Sequence, residues 1–425
     1  MHTLQQLESG ALAGATRLDL ACGLREFPQA IYGLADTLEV LNLTGNALAA
    51  LPDDLPRLKK LKVVFCSNNA FRHLPEVLGA CPHLEMVGFK ANRIAEVAAS
   101  ALPAKLRWLI LTDNQLAAVP AALGERPALQ KLMLAGNRLE ALPESLAQCA
   151  RLELLRIASN QLSALPGWLT QLPALAWLAY AGNPLPAALQ RPAPAQRPVS
   201  FSRLQLGRAL GEGASGQIVQ ARLDGQTELA LKLYKGALTS DGSPLDEMAA
   251  CLAAGEHPAL IPLHGQLSDD PQGRLGLLMA LIDPAFQNLA GPPSLASCSR
   301  DVYPAGLRLA PAEALRMAAQ VASACAHLHA RGVMHGDLYA HNLLWRAGGD
   351  CLLGDFGAAS FHAADGGPQA LALERLEVRA FGILLGELLG LAGIDDERLA
   401  QLQQACLGNP PARPRFAELA ALLAG

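Results

Sequence analysis

At 425 residues the chain is long enough for two domains, and a 51% apolar composition excludes an intrinsically disordered protein. A net charge of −4 with no strong basic run argues against nucleic-acid binding. Nine scattered cysteines, without a C-x-x-C pair or metal-ligand spacing, read as reduced, mostly buried thiols of an intracellular protein. Met1-His-Thr-Leu-Gln-Gln has neither the charged nor the apolar region of a secretory leader. The apolar stretch near residue 384 is broken by Glu387, so no membrane span and a cytoplasmic location are expected.

From about residue 35 to 190 the pattern L-x-x-L-x-L-x-x-N-x-L-x-x-L-P recurs, with its asparagine at Asn46, Asn69, Asn92, Asn114, Asn137, Asn160 and Asn183. The intervals are 23, 23, 22, 23, 23 and 23 residues, a regularity that neither an amphipathic helix nor an ordinary core produces. This is a leucine-rich-repeat array, with a degenerate first unit near Leu18-Asp-Leu20 and a cap before it. The leucines are expected to fill a shared core and the asparagines to satisfy backbone groups in the turns. Side chains alternate along a strand, so two columns should face the concave surface. One contains Trp108 and Trp177, and the other Phe65, Ile110 and Met133. These five form the expected surface for a protein partner.

The repeats, residues 1–190, end in a proline-rich run that predicts a semi-rigid linker at 191–200. A second domain, 201–425, begins with Leu204-Gln-Leu206 and then Gly211-Glu-Gly213-Ala-Ser-Gly216-Gln-Ile218. Taken alone the glycines fit an ordinary turn. Flanked by alternating apolar residues, they fit better a hairpin lid whose amides approach phosphate. Leu229-Ala-Leu-Lys232-Leu-Tyr reads as a strand carrying one lysine, and Asp246 and Glu247 open the next helix. Glu247 is the chosen partner for Lys232, with Asp246 the alternative. Met279 marks a hinge, and a second proline-rich stretch, 284–304, precedes a helix from Pro311 to Arg331.

His335-Gly-Asp337-Leu-Tyr-Ala-His-Asn342 then spells H-x-D-x-x-x-x-N, and Asp355-Phe-Gly357 follows. Phe381 to Leu389 and Asn409-Pro-Pro-Ala-Arg413-Pro-Arg-Phe416-Ala-Glu-Leu complete the ordered set. On these motifs, residues 201–425 resemble the eukaryotic-like Ser/Thr protein kinases. The whole chain resembles a bacterial-type, cytosolic leucine-rich-repeat kinase. The expected fold is an α/β leucine-rich-repeat solenoid followed by an α+β bilobal protein-kinase fold.

The resemblance implies transfer of the γ-phosphoryl of ATP, with Mg2+, to a Ser or Thr hydroxyl. It gives Asp337 the acceptor proton and Asn342 and Asp355 the metal. Lys232, set by Glu247, would hold the α- and β-phosphates, and Gly211, Gly213, Gly216, Ile218 and Met279 would enclose the nucleotide. There are departures. Gly336 and Tyr339 replace an Arg and a Lys, and Glu377 replaces an Asp. The A-P-E tripeptide is missing, which points to a reduced peptide-docking segment. His341 either supplies some of the missing charge or serves as a hydrogen-bonding residue. Two alternatives stay open: a small-molecule phosphotransferase of the aminoglycoside or choline kinase type, and a repeat–pseudokinase scaffold.

Overall fold

A computed structural model describes the chain except residues 191–196, 214, 215, 237, 240 and 425. Most of the expected linker and the Ala214–Ser215 tip of the glycine loop therefore lie outside the described residues. The chain forms two compact units, Met1–Ala174 and Leu175–Gly425.

In the first unit, a short helix, Leu4–Glu8, is closed by a Thr3–Gln6 capping box, which satisfies amide groups that would otherwise be orphaned. Three-residue strands follow at Arg17–Asp19, Val40–Asn42, Val63–Phe65, Met86–Gly88, Trp108–Ile110, Lys131–Met133 and Leu154–Arg156. Each pairs in parallel with the next, so equivalent positions stack in register, as Val63 with Met86 and Trp108 with Lys131. Single 3-10 turns return the chain on the other side.

The central strand residues Leu18, Leu41, Val64, Val87, Leu109, Leu132 and Leu155 are buried, as the period-2 alternation requires. The asparagines join consecutive repeats. Asn137 Nδ2 donates to Leu111 O and Leu134 O, both at 2.9 Å, while its Oδ1 accepts from Leu116 N at 3.0 Å. Asn114 and Asn160 repeat the arrangement.

The second unit contains one more repeat strand, Trp177–Ala179, and then two lobes. The first lobe is a six-stranded sheet in the order Leu204–Glu212, Gly216–Leu223, Thr227–Tyr234, Gly276–Ala280, Leu263–Ser268 and Pro198–Ser200. Val219, Leu229, Leu231, Leu233 and Leu278 form its core. Helix Pro244–Ala254 accompanies the sheet. Its start is fixed by Pro244 in the first turn and by Ser243, whose side chain accepts from Leu245 N.

The second lobe is built on helices Pro311–Ala330, Pro368–Ala392, Glu397–Leu407 and Phe416–Ala424. The long helix starts well before Phe381, because 368–380 is a run of helix-forming residues behind Pro368. Only residues 356–367 therefore separate Asp355-led structure from this helix. The terminal motif is held by Glu374, whose Oε1 accepts from Phe416 N at 2.8 Å, and by buried Arg413, which donates to Gly408 O and Arg375 O.

Candidate active site

A cavity of about 430 Å³ opens between the glycine-loop hairpin and the second lobe. Gly211, Gly213, Gly216, Ile218, Lys232, Glu247, Met279 and Asp355 all line it. Gly216 has a positional reason to lack a side chain, since a Cβ there would stand 2.4 Å from Leu233 O. Leu260, Leu263, Leu277 and Phe356 provide an apolar lining, the usual character of a small-molecule cleft.

Lys232 Nζ donates to Glu247 Oε1 at 2.5 Å, and both side chains are nearly inaccessible. Asp246, the alternative partner, is buried elsewhere on the helix. Burial works against the Lys232 ammonium, but the carboxylates of Glu247 and Asp355 outweigh it and hold its pKa above the ordinary value. Burial pushes the Glu247 carboxyl up in spite of Lys232, and Asp355 adds to that push.

Asn342 Nδ2 donates to Asp337 Oδ2 and to Asp337 O, both at 2.8 Å. That fixes the amide so that its carbonyl oxygen is the end left to meet a cation. His335 is buried and ties the two motifs together. Its Nε2 donates to Gly354 O at 2.9 Å, and its Nδ1 accepts from Asp337 N at 3.3 Å. Asp355 has φ of 54°, a left-handed conformation uncommon for a side-chain-bearing residue, and accepts from Gly357 N.

Of the side chains that support this loop, Glu377 stood out in the sequence only as the residue replacing an Asp, and Asp301 did not stand out at all. Glu377, fully buried on the long helix, accepts from Gly336 N at 2.6 Å, from His335 N at 3.3 Å and from His329 Nε2 at 2.8 Å. Burial alone would raise its pKa, but His329 and these hydrogen bonds hold it below the usual carboxylate value.

Asp301, from the proline-rich stretch, accepts from His341 N at 3.0 Å and from His341 Nδ1 at 2.7 Å. Against the effect of burial, that contact raises the imidazole pKa. Tyr303 next to it donates to Glu387 Oε2 at 2.7 Å. Asn288, from the same stretch, lines the cavity. No local pattern marks these residues, because their partners lie far along the chain.

The partner surface expected on the repeats requires a correction. Trp177 is 1% exposed and is not available on a concave face. Its Nε1 donates to Leu338 O at 3.0 Å, and its ring stacks on Tyr339 with centroids 4.1 Å apart. Periodicity placed it in the same column as Trp108 but carries no information on what packs against that column. Phe65, Trp108, Ile110 and Met133 are half-buried, with Phe65 and Trp108 in edge-to-face contact.

Comparison with known proteins agrees with this fold. The family described as protein tyrosine and serine/threonine kinase matches residues 204–379, and leucine rich repeats match 104–162 and 127–185. A putative cyclin-dependent kinase F-2 of Oryza sativa subsp. japonica is 27% identical over 212 residues, covering 49% of this chain and 63% of that protein. The CBL-interacting serine/threonine-protein kinase 1 of Arabidopsis thaliana is 24% identical over 246 residues, covering 51% of this chain and 52% of that protein. The match thus spans between half and two thirds of these relatives. The chain carries leucine-rich repeats followed by a protein-kinase domain.

Proposed function

We propose that this chain is an ATP-dependent serine/threonine protein kinase of bacterial type, working in the cytoplasm, with partner recognition in residues 1–190 and phosphoryl transfer in 201–425. The observation that carries this reading is the closed Lys232–Glu247 pair beside a nucleotide-sized cavity that Asp355 also lines. Phosphoryl transfer needs positioned charge more than covalent chemistry, and this is such an arrangement. In this reading Lys232 binds the α- and β-phosphates and Glu247 keeps its ammonium in place. The glycine loop covers the phosphates, while Ile218 and Met279 enclose the base. Asp337 orients the acceptor hydroxyl and takes its proton as the oxygen attacks the γ-phosphorus and the bond to the β-phosphate oxygen breaks.

The residues fit magnesium. No cluster of three or more His, Cys, Asp or Glu side chains suited to a metal exists among the described residues, so an all-protein cage is not the design here. One carboxylate, Asp355, and one amide oxygen, Asn342, suit an ion that takes its other ligands from phosphate and water. When bound, Mg2+ would neutralise charge developing on the phosphates. The half-buried side chains Phe65, Trp108, Ile110 and Met133 support a protein partner on the repeats. No helix among the described residues is long and apolar enough to cross a membrane.

The short 356–367 segment favours one competing reading, a small-molecule acceptor. Incubation with γ-labelled ATP and Mg2+ tests both. Label is expected in protein, either this chain or a generic polypeptide, and is expected to be lost with Asp355→Asn. Label on an aminoglycoside or choline but never on polypeptide would select the competing reading. No turnover at all would leave a scaffold.

A further inference from the structure

Strand Trp177–Ala179 has the sequence of a repeat, yet side chains in and just after it, Trp177 and Tyr180, hydrogen-bond the catalytic loop and the segment after Asp355. The indole of Trp177 donates to Leu338 O, the carbonyl next to Asp337, and lies parallel to the Tyr339 ring within 6°. The Arg300 guanidinium stands 5.4 Å from the centre of the same indole. At Gly336, φ is +74°, and a Cβ would stand 2.5 Å from both Leu178 O and Ala358 O. The last repeat thus fills the space that a side chain at position 336 would need.

Two residues further on, Tyr180 N donates to Ser360 Oγ at 2.9 Å and Tyr180 Oη donates to Phe361 O at 2.8 Å. Ser360 is fully buried and is the only hydroxyl-bearing residue between Asp355 and Phe381. The one side chain in this segment that could receive an ordering phosphate is therefore already engaged as an acceptor.

We propose that Trp177 and Tyr180 are positioning residues for phosphoryl transfer. The last repeat strand holds the catalytic loop through Leu338 and Tyr339, and the post-Asp355 segment through Ser360 and Phe361, so that no loop phosphorylation is needed to order them. The transfer role rests on the kinase reading above; the holding role does not. Buried aromatic stacking and hydrogen bonds to backbone carbonyls restrict the loop by packing rather than by charge.

The test uses the whole 425-residue chain. Trp177→Ala is expected to lower kcat at least tenfold and to leave KM for ATP within about threefold, because Trp177 does not line the cavity. Trp177→Phe keeps a ring over Tyr339 and should recover most of that loss. Tyr180→Phe removes only the hydroxyl bond. It should speed amide hydrogen exchange at residues 358–362 several-fold, with residues 216–234 unchanged.

The proposal is overturned if Trp177→Ala keeps kcat within twofold of the parent, or if Phe restores nothing. It is also overturned if Tyr180→Phe leaves exchange at 358–362 unaltered or raises it equally throughout 204–424. Should Trp177→Ala fail to fold, the Phe variants decide. Hydrogen exchange needs no turnover, so an inactive parent would sink the kinase reading while the holding role is judged separately.

Discussion

Lys232 and Glu247 illustrate how a single pair can link a strand to a helix and both to chemistry. The pair is nearly dry, so removing either partner leaves an uncompensated buried charge as well as a lost ligand. Lys232→Met takes away the cation while keeping much of the volume, and Asp355→Asn keeps shape and removes charge. Each is expected to lower phosphoryl transfer at least 100-fold, about 2.7 kcal/mol in barrier terms, with circular dichroism unchanged. Activity near the parent level in both would refute the kinase reading.

A second residue-scale expectation concerns pH. Burial raises Glu387 to about 7, partly offset by the Tyr303 hydrogen bond. Its folded pKa exceeds its unfolded one, so the folded state binds more protons, and stability is lost as pH rises from the ordinary carboxylate value towards 7. Glu387→Gln retains an acceptor for Tyr303 and cannot ionise. It should match the parent at pH 4 and exceed it by about 3 kcal/mol at pH 8 in urea unfolding. Identical pH profiles for the two proteins would show that Glu387 does not titrate in this range.

At the scale of elements, the repeat is both the most legible feature and the one with a hidden constraint. Leucine spacing alone was enough to place the strands and the asparagine ladder, because each repeat solves the same packing problem. The residue before each ladder asparagine in the first unit is left-handed: Gly45, Asn68, Ala91, Asp113, Gly136 and Ser159 all have positive φ. Glycine carries no penalty there, whereas Ala91, with φ of 53°, does. Ala91→Gly is therefore expected to stabilise the array by about 0.5–1 kcal/mol despite glycine's greater chain entropy. Asn137→Ala should cost about 2–3 kcal/mol, since it orphans Leu116 N and two carbonyls. Chemical denaturation measures both, and a destabilised Ala91→Gly would show that the turn is not strained.

The candidate site was legible in a different way. Lys232, Asp337, Asn342 and Asp355 stood out because phosphoryl transfer restricts residue type at short spacing. Asp301, the contacts of Trp177 and the bonds that Glu377 makes did not, because they act across many residues of intervening chain and through burial. An aspartate in a proline-rich stretch and a tryptophan in a repeat column have nothing local to distinguish them. Gly336 is the instructive case. As a departure from the family pattern it looked like a loss, whereas in the fold it accommodates the backbone of Leu178.

For the molecule as a whole, the division into two compact units suggests a measurement that uses the cysteines already present. All nine are free. Cys66, Cys81 and Cys149 are buried in the first unit, and Cys325, Cys351 and Cys406 in the second. Burial pushes these thiols up, Cys81 and Cys149 to about 11 and Cys351 and Cys406 to about 12, so they stay protonated and inert until the surrounding structure opens. A ligand that binds only folded protein makes such opening rarer by the factor 1 + [L]/Kd. A non-hydrolysable Mg-ATP analogue at a hundred times its Kd should therefore slow labelling of Cys325, Cys351 and Cys406 up to about a hundredfold. Cys66, Cys81 and Cys149 should change less than about threefold, because the cavity is built wholly from the second unit. Lys232→Met should abolish the difference. Equal slowing in both sets would mean that the units open as one body, and no slowing in either would mean that the cavity does not bind the nucleotide.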